Sequence, residues 1–173
     1  MDRAAKRAEV VASGLPWLEV DIGRQCLWLR RGEAAQAQWS VSTARNGPGE
    51  RSGSGCTPRG WHVIRAKIGA GAPLGTVFVG RRPTGEIYTP ALAAAHPDRD
   101  WILTRILWLS GLEPGFNRLG ACDTMRRYIY IHGCPDHVPL GQPGSAGCVR
   151  MRNQELVDLF SAVPVGTAVF IHE

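Results

Sequence analysis

The chain has 173 residues, 44% hydrophobic and 20% charged, about one domain's length, and no apolar run approaches the roughly 20 residues of a membrane-spanning helix. Its 21 glycines and 12 prolines punctuate it too often for an all-helical bundle. Twenty Lys and Arg against 15 Asp and Glu give a net charge of +5, scattered rather than gathered in one stripe, which argues against nucleic acid or a membrane surface as partner.

Residues 1–16 read as an N-terminal extension. MDRAAKRAEVVAS carries charges at Asp2, Arg3, Lys6, Arg7 and Glu9, and its apolar stretch is far shorter than the ~7–15 residues of a secretory signal. Cytoplasm is the expected compartment, and five cysteines without C-x-x-C spacing, at least one necessarily unpaired, agree with it. A leader replaced by a new Met would put the chain in the periplasm instead.

The domain proper is expected over 17–173. WLEVDI (17–22) and QCLWLR (25–30) alternate apolar and polar residues around Gly23-Arg24, a hairpin signal, and a third strand is expected at 36–43. Residues 44–60 are crowded with Gly, Pro and Ser and read as a mobile loop. WHVIRAKIG (61–69) and TVFVGRR (76–82) read as strands. WILTRILWL (101–109), apolar on both faces, reads as a buried central strand, with a helix as the competing assignment. YIYIH (128–132) is a short strand, and the Pro- and Gly-rich stretch 133–147 is a loop. Asn153 offers a cap for a helix through NQELVDLFSAV, ended by Pro164, and TAVFIH (167–172) is a last strand. The sum is a mainly β fold with one main helix. The six tryptophans read as core, Arg65, Lys67, Arg81 and Arg82 as solvated strand faces, and His62, His96 and His172 as residues without a partner pattern.

The chemistry concentrates in HGCPDHVPLGQPGSAGCVRMRN, 132–153, where His132 ends a strand and Cys148 follows a glycine. A thiol of ordinary pKa ~8.5 is only a few per cent nucleophilic thiolate near neutrality unless a histidine or helix N-terminus lowers it, and both lie nearby in sequence. His132, Cys134, His137 and Cys148 also form a possible zinc set, but their spacing lacks the tight pairs of structural sites, and no metal or other cofactor is expected. Arg150 is too close to Cys148 for a phosphate-cradling cysteine loop.

His132, Gly133, Gly141, Ser145, Gly147, Cys148 and Arg150 follow the order HG, loop, S-x-G-C-x-R, and the chain here resembles the L,D-transpeptidase catalytic domain family, also called the YkuD domain. TPRGWHV (57–63) resembles the family's TP-x-G turn before a strand. The resemblance implies a β-sandwich or barrel-like catalytic fold with one main helix after the cysteine. It implies attack on the bond between the L-centre of a dibasic residue and D-alanine in peptidoglycan stem peptides, through a thioester. Carried over, Cys148 is the nucleophile and His132 the base, with the carbonyl of Gly133 or Cys134 orienting the ring. Backbone N–H groups of Gly147 and Cys148 form the oxyanion hole, and beside it the thiol and the imidazole are expected within hydrogen-bonding range of each other. Arg150 either holds a substrate carboxylate or braces loop carbonyls, and Ser145 holds the loop or touches substrate. Cys134 stands where the family usually has Thr or Ser, which raises a Cys134–Cys148 disulfide as an oxidative switch.

The expected activity is an L,D-carboxypeptidase releasing terminal D-alanine from a stem tetrapeptide in murein recycling. The alternatives are an L,D-transpeptidase that cross-links or exchanges D-amino acids, and a non-catalytic module that binds wall peptides. The resemblance also implies that carbapenems acylate Cys148.

Overall fold

A computed structural model describes all residues, 1–173. The chain opens with helix α1 (Arg3–Ala12), where the sequence reading had only an extension. Asp2 caps it, accepting hydrogen bonds from the N–H groups of Ala4 and Ala5 at 2.9 and 3.2 Å. Its only apolar pair is Val10 and Val11, too few to mark a helical stripe in the sequence. Val10 packs over Trp17 and Trp61, whose indoles donate to Gly32 O and Arg3 O. Asp2→Ala removes this cap and is expected to lower unfolding free energy by ~1 kcal/mol, read from urea melts, with no change at the distant cavity described below.

Strands β1 (Pro16–Asp21), β2 (Cys26–Arg31) and β3 (Ala34–Ser40) form an antiparallel meander. The third strand begins and ends earlier than its expected 36–43. The hairpin at Gly23-Arg24 is present, with Asp21 Oδ1 accepting from the Arg24 N–H at 2.9 Å. Next come β4 (Gly60–Ile68), β5 (Thr76–Val79), β6 (Arg82–Ile87), the short helix α2 (Pro90–Ala95) and β7 (Ile102–Gly111). TVFVGRR is therefore two strands rather than one. Gly80 and Arg81 both have left-handed φ, +55° and +65°, and turn the chain back on itself as a two-residue hairpin loop requires. Segment 101–109 falls on strand β7, apolar on both faces as expected, and not on the competing helix.

The chain closes with β8 (Tyr130–Gly133), β9 (Val149–Met151), α3 (Asn153–Ala162) and β10 (Ala168–His172). The main path of the sheet runs β3-β2-β1-β10-β4-β7-β5-β6, and β8 and β9 branch from β7. Two pairings are parallel, β1 with β10 and β8 with β9, so the sheet is mixed. A bulge at Thr104, φ +75°, lets β7 pair with both β5 and β8.

One core joins the two parts of the sheet. Leu18, Val20, Leu27 and Ile171 from one side meet Leu107, Ile131, Val149 and Met151 from the other, with Leu156, Leu159 and Phe160 of α3 between them. These helical positions recur at the spacing of one face, and Pro164 follows the helix end. Asn153 is the first helical residue rather than the cap. Its amide instead donates to Cys134 O at 3.0 Å and its Oδ1 accepts from Thr104 Oγ1 at 2.6 Å, tying α3 to the end of β8. No helix is long and apolar enough to cross a membrane.

Candidate active site

The parallel register of β8 and β9 positions the chemistry. Ile131 lies opposite Val149 and His132 opposite Arg150, so Cys148, just before β9, falls beside Tyr130. Side chains alternate across a strand. Ile131, Val149 and Met151 enter the core, and Tyr130, His132, Cys148 and Arg150 line a cavity of about 260 Å³ on the other face. Residues sixteen apart in sequence thus become diagonal neighbours. Asp100, Arg81 and Arg127 complete its charged lining.

His132 is buried, and its Nδ1 lies 2.7 Å from the carbonyl oxygen of Gly133. That contact places the ring proton on Nδ1 and leaves Nε2, which has no protein partner, as the basic nitrogen. The thiol makes no hydrogen bond with the ring. Its sulfur accepts from the Tyr130 N–H at 3.3 Å and donates to Tyr128 O at 3.4 Å. The direct thiol–imidazole bond expected from sequence is therefore not formed at rest, a looseness common in sites without substrate.

Burial pushes the Cys148 thiol up to about 12, Asp100 adding to the rise, while the Tyr130 N–H, Arg150 and Arg127 oppose it. Burial also lowers the pKa of His132, against the pull of Gly133 O and Asp100. The resting pair is a neutral thiol and a neutral imidazole. The expected help from a helix N-terminus is absent, because β9 intervenes and the first residue of α3 is bound at Thr104 and Cys134.

The turn before Cys148 is fixed from several sides. Ser145 Oγ accepts from the Gly147 N–H at 3.1 Å and donates to Cys148 O at 2.6 Å. Its hydroxyl proton is thus committed to the backbone, and Ser145 braces the turn at the cavity wall. Gly147 carries φ +138°, and a Cβ there would stand 3.2 Å from Ile129 Cδ1 and 3.3 Å from Cys56 O. The positive φ and that close approach together favour glycine there. Since Ser145 occupies the Gly147 N–H, only the Cys148 N–H, which has no acceptor, remains of the expected pair of oxyanion donors.

Segment 44–60 is pinned where the sequence suggested a mobile loop. Thr57 Oγ1 donates to Gly147 O and accepts from the Ala44 N–H, both at 2.9 Å. Arg127 donates to the carbonyls of Gly49, Glu50 and Cys56. The TP-x-G turn thus supports the turn that carries Cys148, a contact that sequence spacing alone did not reveal.

The Arg150 guanidinium donates no hydrogen bond to loop carbonyls, and only the residue's backbone N–H bonds Ser42 O at 2.9 Å. Its one charged partner is Asp100 at 3.9 Å, beyond hydrogen-bond range. Cys134 is buried, and its N–H and thiol both donate to Met151 O. Four positions along β8 separate it from the level of Cys148, ~13 Å of strand, far beyond the Cα reach of a disulfide. The proposed oxidative switch is overturned, and all five thiols are free. No three His, Cys, Asp or Glu side chains converge as metal ligands.

Fold and site together place a cysteine, a histidine and an arginine on one face of the β8–β9 pair, at the wall of one cavity. The L,D-transpeptidase catalytic domain (YkuD) model matches residues 16–171, and the chain belongs to that family. It is 44% identical over 57 residues to YqjB of Bacillus subtilis (strain 168), covering 33% of this chain and 31% of that protein. It is 35% identical over 121 residues to YbiS of Escherichia coli (strain K12), covering 68% and 34%. Both names carry the term L,D-transpeptidase. The matches span about a third of those relatives' length. The fold is similar to that of L,D-transpeptidase 3 from Mycobacterium tuberculosis, solved in complex with a faropenem-derived adduct, with a TM-score of 0.57 at 14% identity over 91% of this chain and 60% of that one.

Proposed function

We propose that the chain is a cysteine-dependent L,D-peptidase of peptidoglycan stem tetrapeptides, and that water resolves its thioester, making it an L,D-carboxypeptidase. The observation that carries this reading is the guanidinium of Arg150, which makes no hydrogen bond and only a loose 3.9 Å ion pair with Asp100, two residues beyond Cys148 on the same face. Its planar fork suits a terminal carboxylate, which in a tetrapeptide belongs to the D-alanine that leaves.

Cys148 Sγ attacks the carbonyl of the dibasic residue while its proton passes to His132 Nε2. The Cys148 N–H donates to the developing oxyanion. Collapse breaks the peptide bond, His132 returns the proton to the D-alanine amine, and the acyl group remains on sulfur. Water then attacks with His132 again as base, releasing tripeptide and restoring the thiol. The same nucleophile makes a carbapenem an expected acylating inhibitor.

Incubation of the protein with a murein tetrapeptide, with and without a free D-amino acid, tests the reading by mass spectrometry. Tripeptide in both incubations supports hydrolysis. A tetrapeptide with an exchanged terminus assigns transpeptidation instead. No conversion, with undiminished peptide binding by Cys148→Ala, leaves only a binding module.

A further inference from the structure

Arg81 is a second cation in the Cys148 cavity, and it has no carboxylate partner anywhere in the molecule. The left-handed turn at Gly80-Arg81 lets the hairpin tip reach the cavity. Its guanidinium lies 4.5 Å from the Tyr128 ring centroid and 5.1 Å from that of Trp108, and donates to the Tyr130 hydroxyl at 3.1 Å. Three aromatic side chains thus fix its position without neutralising it, so little ordering remains when an anion arrives.

The strand register gives this cation a direction. Cys148 lies level with Tyr130, Arg150 lies level with His132, and Tyr128 precedes both. Arg81 is held at Tyr128 and Tyr130 whereas Arg150 lies level with His132, so the two cations reach the cavity at different lining residues. If Arg150 takes the carboxylate that leaves, Arg81 faces the part of the substrate that stays on sulfur.

We propose that Arg81 binds a second carboxylate on the acyl portion of the substrate, and so selects stem peptides whose acyl portion is free acid over those carrying a carboxamide there. This rests on the reading of the chain as a stem-peptide L,D-peptidase. Two carboxylates share the required chemistry: one on the side chain of the dibasic residue, the other on the residue before it.

Three tetrapeptides separate the cases: the free acid, one amidated on the dibasic side chain, and one amidated on the preceding residue. Each is compared by kcat/KM with wild type, Arg81→Met and Arg81→Lys. Wild type is expected to favour the free acid by roughly 10- to 100-fold over one of the two amides, which identifies the carboxylate read. Arg81→Met brings that ratio close to one, and Arg81→Lys restores part of it. Equal rates for all three peptides with wild type overturn the proposal, as does an Arg81→Met variant that slows every peptide alike and keeps the ratio, since that is the behaviour of a merely structural residue. Wild type that converts none of the peptides overturns the peptidase reading itself and this proposal with it.

Discussion

Acylation of Cys148 by a tetrapeptide is expected to rise with pH through one acid limb centred below 6.5, then hold level to beyond pH 9. The two shifts set these limits. Burial holds His132 below the ordinary 6.5, so its imidazole is neutral, and able to accept a proton, everywhere above that limb. Burial holds the thiol up to about 12, so its deprotonation lies outside the working range. The reactive form is a protonated thiol beside a neutral base, and its population is constant between the two. A resting thiolate–imidazolium pair behaves differently, because loss of the imidazolium proton cuts a descending limb into the profile at mildly alkaline pH.

Single-turnover rates from pH 4.5 to 9.5 make the comparison, and a fall above pH 8 would contradict the neutral pair. Cys148→Ala is expected to show no covalent acyl-enzyme mass at any pH. His132→Gln is expected to lose roughly 10²–10⁴-fold in acylation, with the acid limb abolished because no imidazole remains to titrate.

Most of the strands and the positions of His132 and Cys148 at the ends of short segments were legible in the sequence because both rest on short-range pattern, whereas β6 and the three-residue β9 were not. Alternation around Gly23-Arg24, the β-rich YIYIH run and the Leu156–Leu159–Phe160 spacing each report one face of one element. The contacts that shape the cavity come from long-range pairing, which no local pattern encodes. Thr57 meets Gly147 across 90 positions and Arg81 meets Tyr130 across 49. Arg81 looked like a solvated strand residue because TVFVGRR reads as one strand. Only the turn at Gly80, tolerable at left-handed φ, redirects its side chain. Helix α1 escaped notice for a different reason. Beyond the Asp2 cap, its stability comes from tertiary contacts, Val10 over Trp17 and Trp61 and the Arg3–Glu113 ion pair, with little apolar period of its own.

Gly133→Ala is expected to cost stability and acylation together. A Cβ at this position would stand 2.2 Å from Asn153 Oδ1 and 2.7 Å from Leu103 O. Leu103 is the register partner of Gly133 on β7, so its carbonyl is strand backbone and cannot swing aside. Asn153 is held by Thr104 Oγ1 and Cys134 O. Either the β7–β8 ladder parts or the first turn of α3 moves. Overpacking of this kind costs ~1–3 kcal/mol, and losing the buried bonds of Asn153 adds ~1–3 kcal/mol, so urea melts are expected to show about 3 kcal/mol of destabilisation. The Gly133 carbonyl also orients His132 Nδ1. A displacement near 1 Å there is expected to slow acylation by ~10²-fold. Asn153→Ala alone loses the hydrogen bonds but keeps the carbonyl in place, so it should destabilise while retaining most of the rate. In the double variant one obstacle is gone and the Leu103 carbonyl remains, so its destabilisation should fall short of the sum of the singles. A Gly133→Ala protein that melts and acylates like wild type would show that the end of β8 can shift freely, and that the carbonyl beside His132 does not set the imidazole's orientation.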